Sequence, residues 1–185
     1  MVALVSRTGR HLQRYSDGRR LIVGCIPYRY KAGKRKGCLK EDREVEVLVI
    51  SSQRQGKGML FPKGGWERDE SMKDAAQRET MEEAGVMGIV QRRLGKWRFK
   101  SKSNETDHEG HMFPLLVEQQ LDLWPEKEFR QRIWMSVSEA KEACQQVWML
   151  EALEEFENRL NSSSARPKMM VKEDIVEQVV QCSMS

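Results

Sequence analysis

The chain has 185 residues, 39% of them hydrophobic and 32% charged, with a formal net charge of +4. That length suits one domain with a real core and is too short for two independent ones, and the composition is polar yet within the range that folds. No apolar run approaches the ~20 residues that span a bilayer, and no apolar segment with a small-residue cleavage site follows the start, so neither a membrane-spanning nor a secreted protein is expected.

The chain opens on a basic arm. Residues 1–40 hold eleven Lys and Arg against the single acid Asp17, which leaves the remainder at −6. Three readings stand side by side: a site for an anionic ligand built from Arg7, Arg10, Arg14, Arg19 and Arg20, an Arg-rich, acid-poor organelle-import signal, and a solvated arm. Arg20 to Tyr30 (RLIVGCIPYRY) and Val45 to Ser51 (VEVLVIS) have the length and apolar content of strands and should pair. The charged stretch between them, with Gly33 and Gly37, reads as a loop.

Met59 to Phe61 is a short strand, and Pro62-Lys63-Gly64-Gly65 is a break that no regular element accommodates. Ser71, three residues before Asp74, has the spacing of a capping box, Met72 to Ala84 lacks Gly and Pro, and Gly85 is placed to end that helix. Strands follow at Ile89 to Lys100, His111 to Glu118 and around Ile133 to Val137. Ser138 is a candidate cap for a helix from Glu139, and Leu150, Leu153, Phe156 and Leu160 recur at helical spacing over Trp148 to Leu160. This divides the chain into a basic arm over 1–19, a domain over 20–160, and a linker with a flexible tail over 161–185.

On the helix from Ser71, positions 72, 75, 76, 79 and 83 share one stripe. It begins with Met72, Ala75 and Ala76 and ends in Glu79 and Glu83, with Glu82 beside them. A face that should pack against protein therefore presents three carboxylates, which repel and raise one another's pKa unless cations neutralise them. A solvated acidic helix end explains this poorly, because acids are unfavourable where the macrodipole is negative. A divalent metal fits better: magnesium takes oxygen ligands, keeps several waters and is shared between one or two carboxylates and substrate phosphates, and Glu79 and Glu83 lie one turn apart. Arg78, one turn before Glu82, reads as an orienting ion pair.

The spacing from Gly64 through Glu70 to Arg78-Glu79-Thr80-Met81-Glu82-Glu83-Ala84-Gly85-Val86 resembles the signature of the Nudix hydrolases, GX5EX7REUXEEXGU with U a bulky aliphatic. One position departs, Thr80, whose methyl can pack and whose hydroxyl can bond back to the helix. The resemblance implies an α+β fold, an α/β/α sandwich in which a mixed sheet lies between helices and the signature forms a catalytic loop, helix and loop. It implies Glu79 and Glu83 as metal ligands, Glu82 as a further ligand or the base that activates water, and Gly64 and Gly65 as the points where backbone approaches metal and phosphate. Glu70 would bind metal through water or hold the loop. The cofactor implied is Mg2+, with Mn2+ as a substitute, and the reaction is attack of activated water on a phosphoanhydride without a covalent intermediate.

The segments SRTGRHLQRY, GCIPYR, FPKGGWE, LGKWRFKSKS, MFPLLV, and LWPE followed by RQRIWM are similar to a plant Nudix group related to diphosphoinositol polyphosphate and diadenosine polyphosphate phosphohydrolases. A small, densely phosphorylated substrate would meet Arg14, Arg19, Arg20 and Lys63, with Arg130 or Arg132 joining. Two other readings stay open: a Nudix pyrophosphatase of other nucleoside diphosphate derivatives or capped RNA, and a non-catalytic module that binds polyphosphate or RNA. Within the basic arm proper only Tyr15 is aromatic, which disfavours nucleic acid, and Trp66 and Trp97 read as packing at the site's edge before they read as a base platform. His11, His108 and His111 are expected in the arm and a loop, and Cys25, Cys38, Cys144 and Cys182 have neither metal-ligand spacing nor a nucleophile's context. Scattered cysteines suit a reducing compartment. Relatives in the plant group are often mitochondrial, but a long cleaved signal would remove Arg14, Arg19 and Arg20, so the expectation is a short or uncleaved signal, or the cytosol.

Overall fold

A computed structural model describes residues 5–7, 9, 11–31, 44–53, 58–100 and 106–164. The loop expected over 32–43, the site residue Arg10, Cys38, Cys182 and the tail from residue 165 lie outside the described residues. Among the described residues one nine-stranded sheet and three helices form. The strands are β1 (Tyr15–Ser16), β2 (Arg19–Tyr30), β3 (Val45–Ser51), β4 (Met59–Leu60), β5 (Lys63–Gly65), β6 (Val86–Val90), β7 (Gly95–Lys100), β8 (Asp107–Gln120) and β9 (Arg132–Ser136). The helices are α1 (Met72–Ala84), α2 (Val137–Ala143) and α3 (Val147–Ser164).

The central strand β2 pairs antiparallel with β3, as its composition predicts, and parallel with β8. The rest of the sheet is antiparallel around these, so the sheet is mixed. Side chains alternate across the pleat. Val23, Cys25, Phe113 and Leu115 turn to one face and cluster with Ala75 and Ala76 of α1, while Ile26, Tyr28 and Met112 turn to the other and join Trp148, Met149, Leu153 and Phe156 of α3. The apolar period read over 148–160 is thus the stripe that covers the sheet. The fold is the α+β sandwich that the signature implies.

Four expectations need correction. The stretch Ile89 to Lys100 is two strands, β6 and β7, which both pair with β8 across a turn at 91–94. The break at Pro62 to Gly65 contains a strand, because β5 pairs with β2 through Val23 and Gly64. The second helix is capped by Ser136: its side chain accepts from Glu139 N while the Glu139 side chain accepts from Ser136 N, a capping box that Ser138 cannot form. The last helix runs through Ser164, four residues into the stretch read as a linker.

The caps of α1 form at the residues the sequence predicts. Ser71 Oγ accepts from Asp74 N but donates to Asp74 Oδ2, so only half of the expected capping box is made, and Gly85 adopts φ +64° and donates to Met81 O. A Cβ at Gly85 would also lie 2.7 Å from Trp124 and Arg132. Gly85→Ala is therefore expected to cost at least about 1–2 kcal/mol from the left-handed backbone alone, roughly 2–8 °C in a thermal melt of a domain this size. An unchanged melting temperature would show that the cap is dispensable.

Candidate active site

The loop from Lys63 to Glu70 is held against α1 by one arginine. Arg78 donates in bidentate fashion to Glu70, at 2.9 and 2.7 Å, and also to Gly65 O at 3.1 Å and Glu79 Oε1 at 2.8 Å. Glu82 Oε1 lies farther off, at 3.5 Å. The pair read from helical spacing is thus the weakest of the set, because the planar guanidinium matches the Glu70 carboxylate across the loop. Glu70 in turn accepts from Glu67 N at 3.1 Å and closes the loop's own turn. Gly64 carries its backbone against Glu79, where any Cβ would overlap that carboxylate.

The three carboxylates are largely out of water. Glu82 and Glu83 are buried, at 4% and 6% exposure, and the Glu79 side chain is 13% exposed. Both oxygens of Glu83 are engaged: Oε2 accepts from Lys63 N at 2.8 Å and Oε1 from the Arg130 guanidinium. Arg130 is anchored in turn by Glu126 at 2.6 Å and Ser51 O at 3.0 Å. Glu82 accepts from Arg7 N at 3.3 Å. Burial raises the pKa of all three, and Glu79 is pushed up to about 7 because repulsion from Glu83 and Glu82 adds to desolvation while Arg78 opposes it. Thr80, the departure from the signature, is buried and donates to Ala76 O at 2.7 Å, as expected.

Among the described residues no three His, Cys, Asp or Glu side chains converge as a ready-made metal cage; the carboxylates are turned to their arginine and amide partners. The donor set still fits a hard divalent cation. It consists of carboxylate oxygens whose burial raises their pKa, with repulsion from Glu83 and Glu82 adding to it at Glu79, and magnesium requires only one or two of them beside water and phosphate. A test follows from the sign of the shift. With Glu79 at about 7 in the folded chain against an ordinary 4.5, the folded state binds more protons than the unfolded state between those values, so stability falls as pH rises through that window. Melting temperature in EDTA is expected to decline from about pH 4.5 to 7, and magnesium to restore more of it at pH 8 than at pH 5. A flat profile with no magnesium effect would mean that the cluster neither repels nor binds.

The basic residues separate into groups. Arg20 donates to Gln13 and lies beside Gly65, and Lys63 meets Glu83 through its backbone. Arg130 reaches Glu83, whereas Arg132 reaches Ala84 O, Gly85 O and Leu121 O at the C-terminal end of α1. Arg19 pairs with Asp17 at 3.0 Å. Arg14 turns to the loop that follows β5, where it donates to Glu67 O and Arg68 O at 3.0 and 2.9 Å and lies 4.4 Å over the Trp66 ring. Arg7 pairs with Glu67 at 2.6 Å and Asp69 at 3.1 Å.

His108, expected in a loop, lies in β8 together with His111, the residue that opens the strand expected over 111–118. His111 is buried between Glu109 and Arg93, which leaves it paired and away from the carboxylates, and burial lowers its pKa. Cys25 is fully buried, which pushes its thiol up to about 12 and excludes it as a nucleophile. Sequence reasoning missed Glu126, Gln13 and the exposed cations Lys96, Arg98 and Lys100 of β7. The period-two alternation in KWRFK was their signal, since it places these three on one face and Trp97 and Phe99 on the other.

Comparison with known proteins agrees with this geometry. The NUDIX domain description matches residues 34–156. Nudix hydrolase 21, chloroplastic, of Arabidopsis thaliana is 62% identical over 86% of this chain and 77% of its own length, and Nudix hydrolase 17, mitochondrial, of the same plant is 58% identical over 91% and 90%. Diphosphoinositol polyphosphate phosphohydrolase 3-alpha of Mus musculus is 34% identical over 70% and 82%. Among solved structures, the Caenorhabditis elegans Ap4A hydrolase binary complex superposes with a TM-score of 0.58 at 20% identity, covering 77% of this chain and 98% of that one. With the signature helix, its carboxylates and the mixed sheet in place, the chain belongs to the Nudix hydrolases, enzymes that cleave phosphoanhydride bonds with a divalent metal.

Proposed function

We propose that this enzyme hydrolyses a phosphoanhydride in a small, densely phosphorylated molecule, a diphosphoinositol polyphosphate or a diadenosine polyphosphate. The observation that carries the reading is a buried turn of three carboxylates with cations gathered around it: Arg130 faces Glu83, Arg20 lies beside Gly65, and Lys63 joins them on the loop. The names of the mouse and nematode relatives supply the two substrate branches. Glu79 and Glu83 hold Mg2+, with Mn2+ as a substitute, and Glu82 serves as a further ligand or takes the proton from the attacking water. The cation, when bound, neutralises charge on the phosphoryl group and acidifies water. Gly64 and Gly65 let backbone approach the phosphate, Glu70 and Arg78 fix the loop and Glu79, and Gly85 ends the helix beside the site. Arg19, Arg20 and Lys63 receive the remaining phosphates. Arg14 also belonged to that set by sequence, but its guanidinium already serves two loop carbonyls.

One face of Trp66 lies under Arg14, which counts against a nucleobase stacked on that face, whether of capped RNA or of a diadenosine polyphosphate. The organellar names of the two plant relatives support an organelle over the cytosol. No described helix is long and apolar enough to cross a membrane. The test is phosphate release with magnesium from an inositol pyrophosphate, a diadenosine polyphosphate and an ADP-sugar at equal concentration, with Glu83→Gln as control. A marked preference for either of the first two, abolished in the control, is expected. Preference for the ADP-sugar would overturn the substrate assignment and leave the chemistry intact.

A further inference from the structure

The catalytic loop has two sides, and its outer side is bound to a segment outside residues 34–156. Trp66 O accepts from Arg14 N at 2.8 Å, Glu67 O from Arg14 Nε at 3.0 Å, and Arg68 O from Arg14 Nη2 at 2.9 Å. One residue thus serves three consecutive carbonyls. Arg68 N donates back to Leu12 O at 2.9 Å, Gln13 bridges to Glu67, and the Arg14 guanidinium covers the Trp66 ring. The buried Gln13 side chain lies against Gly65 and accepts from Arg20. Leu12 to Arg14 is in effect an extra strand laid along the loop.

On the inner side the loop is tied by Arg78, through Gly65 O and Glu70, to Glu79. The loop is therefore clamped between two arginines, one from the signature helix and one from the basic arm. Short loops with irregular backbone lack the ladder that fixes a strand, so their shape depends on whatever pairs with their carbonyls. A shift at Glu67 or Arg68 passes through Glu70 to Arg78 and so to the carboxylate of Glu79.

We propose that Leu12–Arg14 is a strap that positions the catalytic loop, and that Arg14 is its positioning residue, acting on turnover through the loop and not through contact with substrate. The proposal rests on the hydrolase reading for its kinetic test and is independent of it for its structural one. An ammonium cannot span two carbonyls while covering a ring, so Arg14→Lys preserves the charge and every backbone donor yet loses the clamp, which leaves the bond from Arg68 N to Leu12 O free to open.

The experiment compares wild type, Arg14→Lys and Arg14→Ala, with thermal melts to verify folding, in two measurements. Steady-state kinetics on an inositol pyrophosphate and an ADP-sugar should show kcat lowered by the same factor for both, roughly 10–100-fold on the scale of an ångström-sized misplacement, with KM unchanged. Hydrogen exchange should show the Arg68 amide losing protection in Arg14→Lys while the amides of α1 keep theirs. A KM that rises more for the inositol pyrophosphate with kcat preserved would make Arg14 a substrate contact and overturn the proposal. Unchanged exchange at Arg68 would overturn it too. If wild type cleaves neither substrate, the functional reading fails, and the exchange measurement still decides whether the strap holds the loop.

Discussion

Exchanging Glu82 for glutamine is expected to lower kcat by roughly 10²–10⁴-fold, the usual worth of a positioned proton acceptor, without loss of folding. Glutamine has nearly the same shape and keeps an oxygen to accept from Arg7 N. It removes a charge that burial already disfavours, so the melting temperature should hold or rise. A drop in turnover with folding intact separates a chemical role from a structural one. Steady-state kinetics at saturating magnesium check it, and near-normal turnover would remove Glu82 from the chemistry. The substitution should leave KM almost unchanged, because Glu82 faces the arm and Arg78 and not the cations proposed to meet phosphate.

Arg78→Ala should be the most destabilising single change in the site. The guanidinium is 13% exposed and holds Glu70, Glu79 and Gly65 O together. Its loss leaves two nearly buried carboxylates without their cation, and breaking a buried pair from one side typically costs about 3–5 kcal/mol. For a domain of this size that is roughly 6–20 °C in melting temperature. The double variant Arg78→Ala with Glu70→Gln should lose less than the sum of the single losses, since part of the cost is the stranded Glu70 charge. Additive losses in urea or thermal melts would mean that the two residues do not act as a pair.

What the sequence revealed and what it concealed follow from the range of each interaction. The ends of α1 were legible because Ser71 with Asp74 and Gly85 are local signals, and the carboxylates because Glu79 and Glu83 continue a stripe begun by Ala75 and Ala76. Arg78 was assigned to Glu82 because helical spacing sees only neighbours three and four away, while its better partner Glu70 lies eight residues back across a loop. The turn between β6 and β7 carries no Gly or Pro, so Ile89 to Lys100 read as one strand. Arg14 was legible as a cation near the site, but which way it faced depended on the strap folding back over Trp66. Arg130 was named from the RQRIWM segment as a cation for substrate and not as a partner of Glu83; only the pairing of β9 with β3 brings it and Ser51 together beside that carboxylate.

The parallel pairing of β2 with β8 also bears on the order in which this molecule is built. β2 and β8 lie on either side of the signature in sequence, with Arg20 beside His108 and Tyr28 beside Leu116. Closing that long a segment carries a large entropic cost before any contact repays it, and pairings so distant in sequence slow folding. The helix that carries the carboxylates packs on Phe113 and Leu115, residues made well after it on the ribosome. A nascent chain arrested before β8 would therefore hold the whole signature with only part of the surface on which α1 packs, Val23 and Cys25, and the helix should settle fully only once Phe113 and Leu115 have been made.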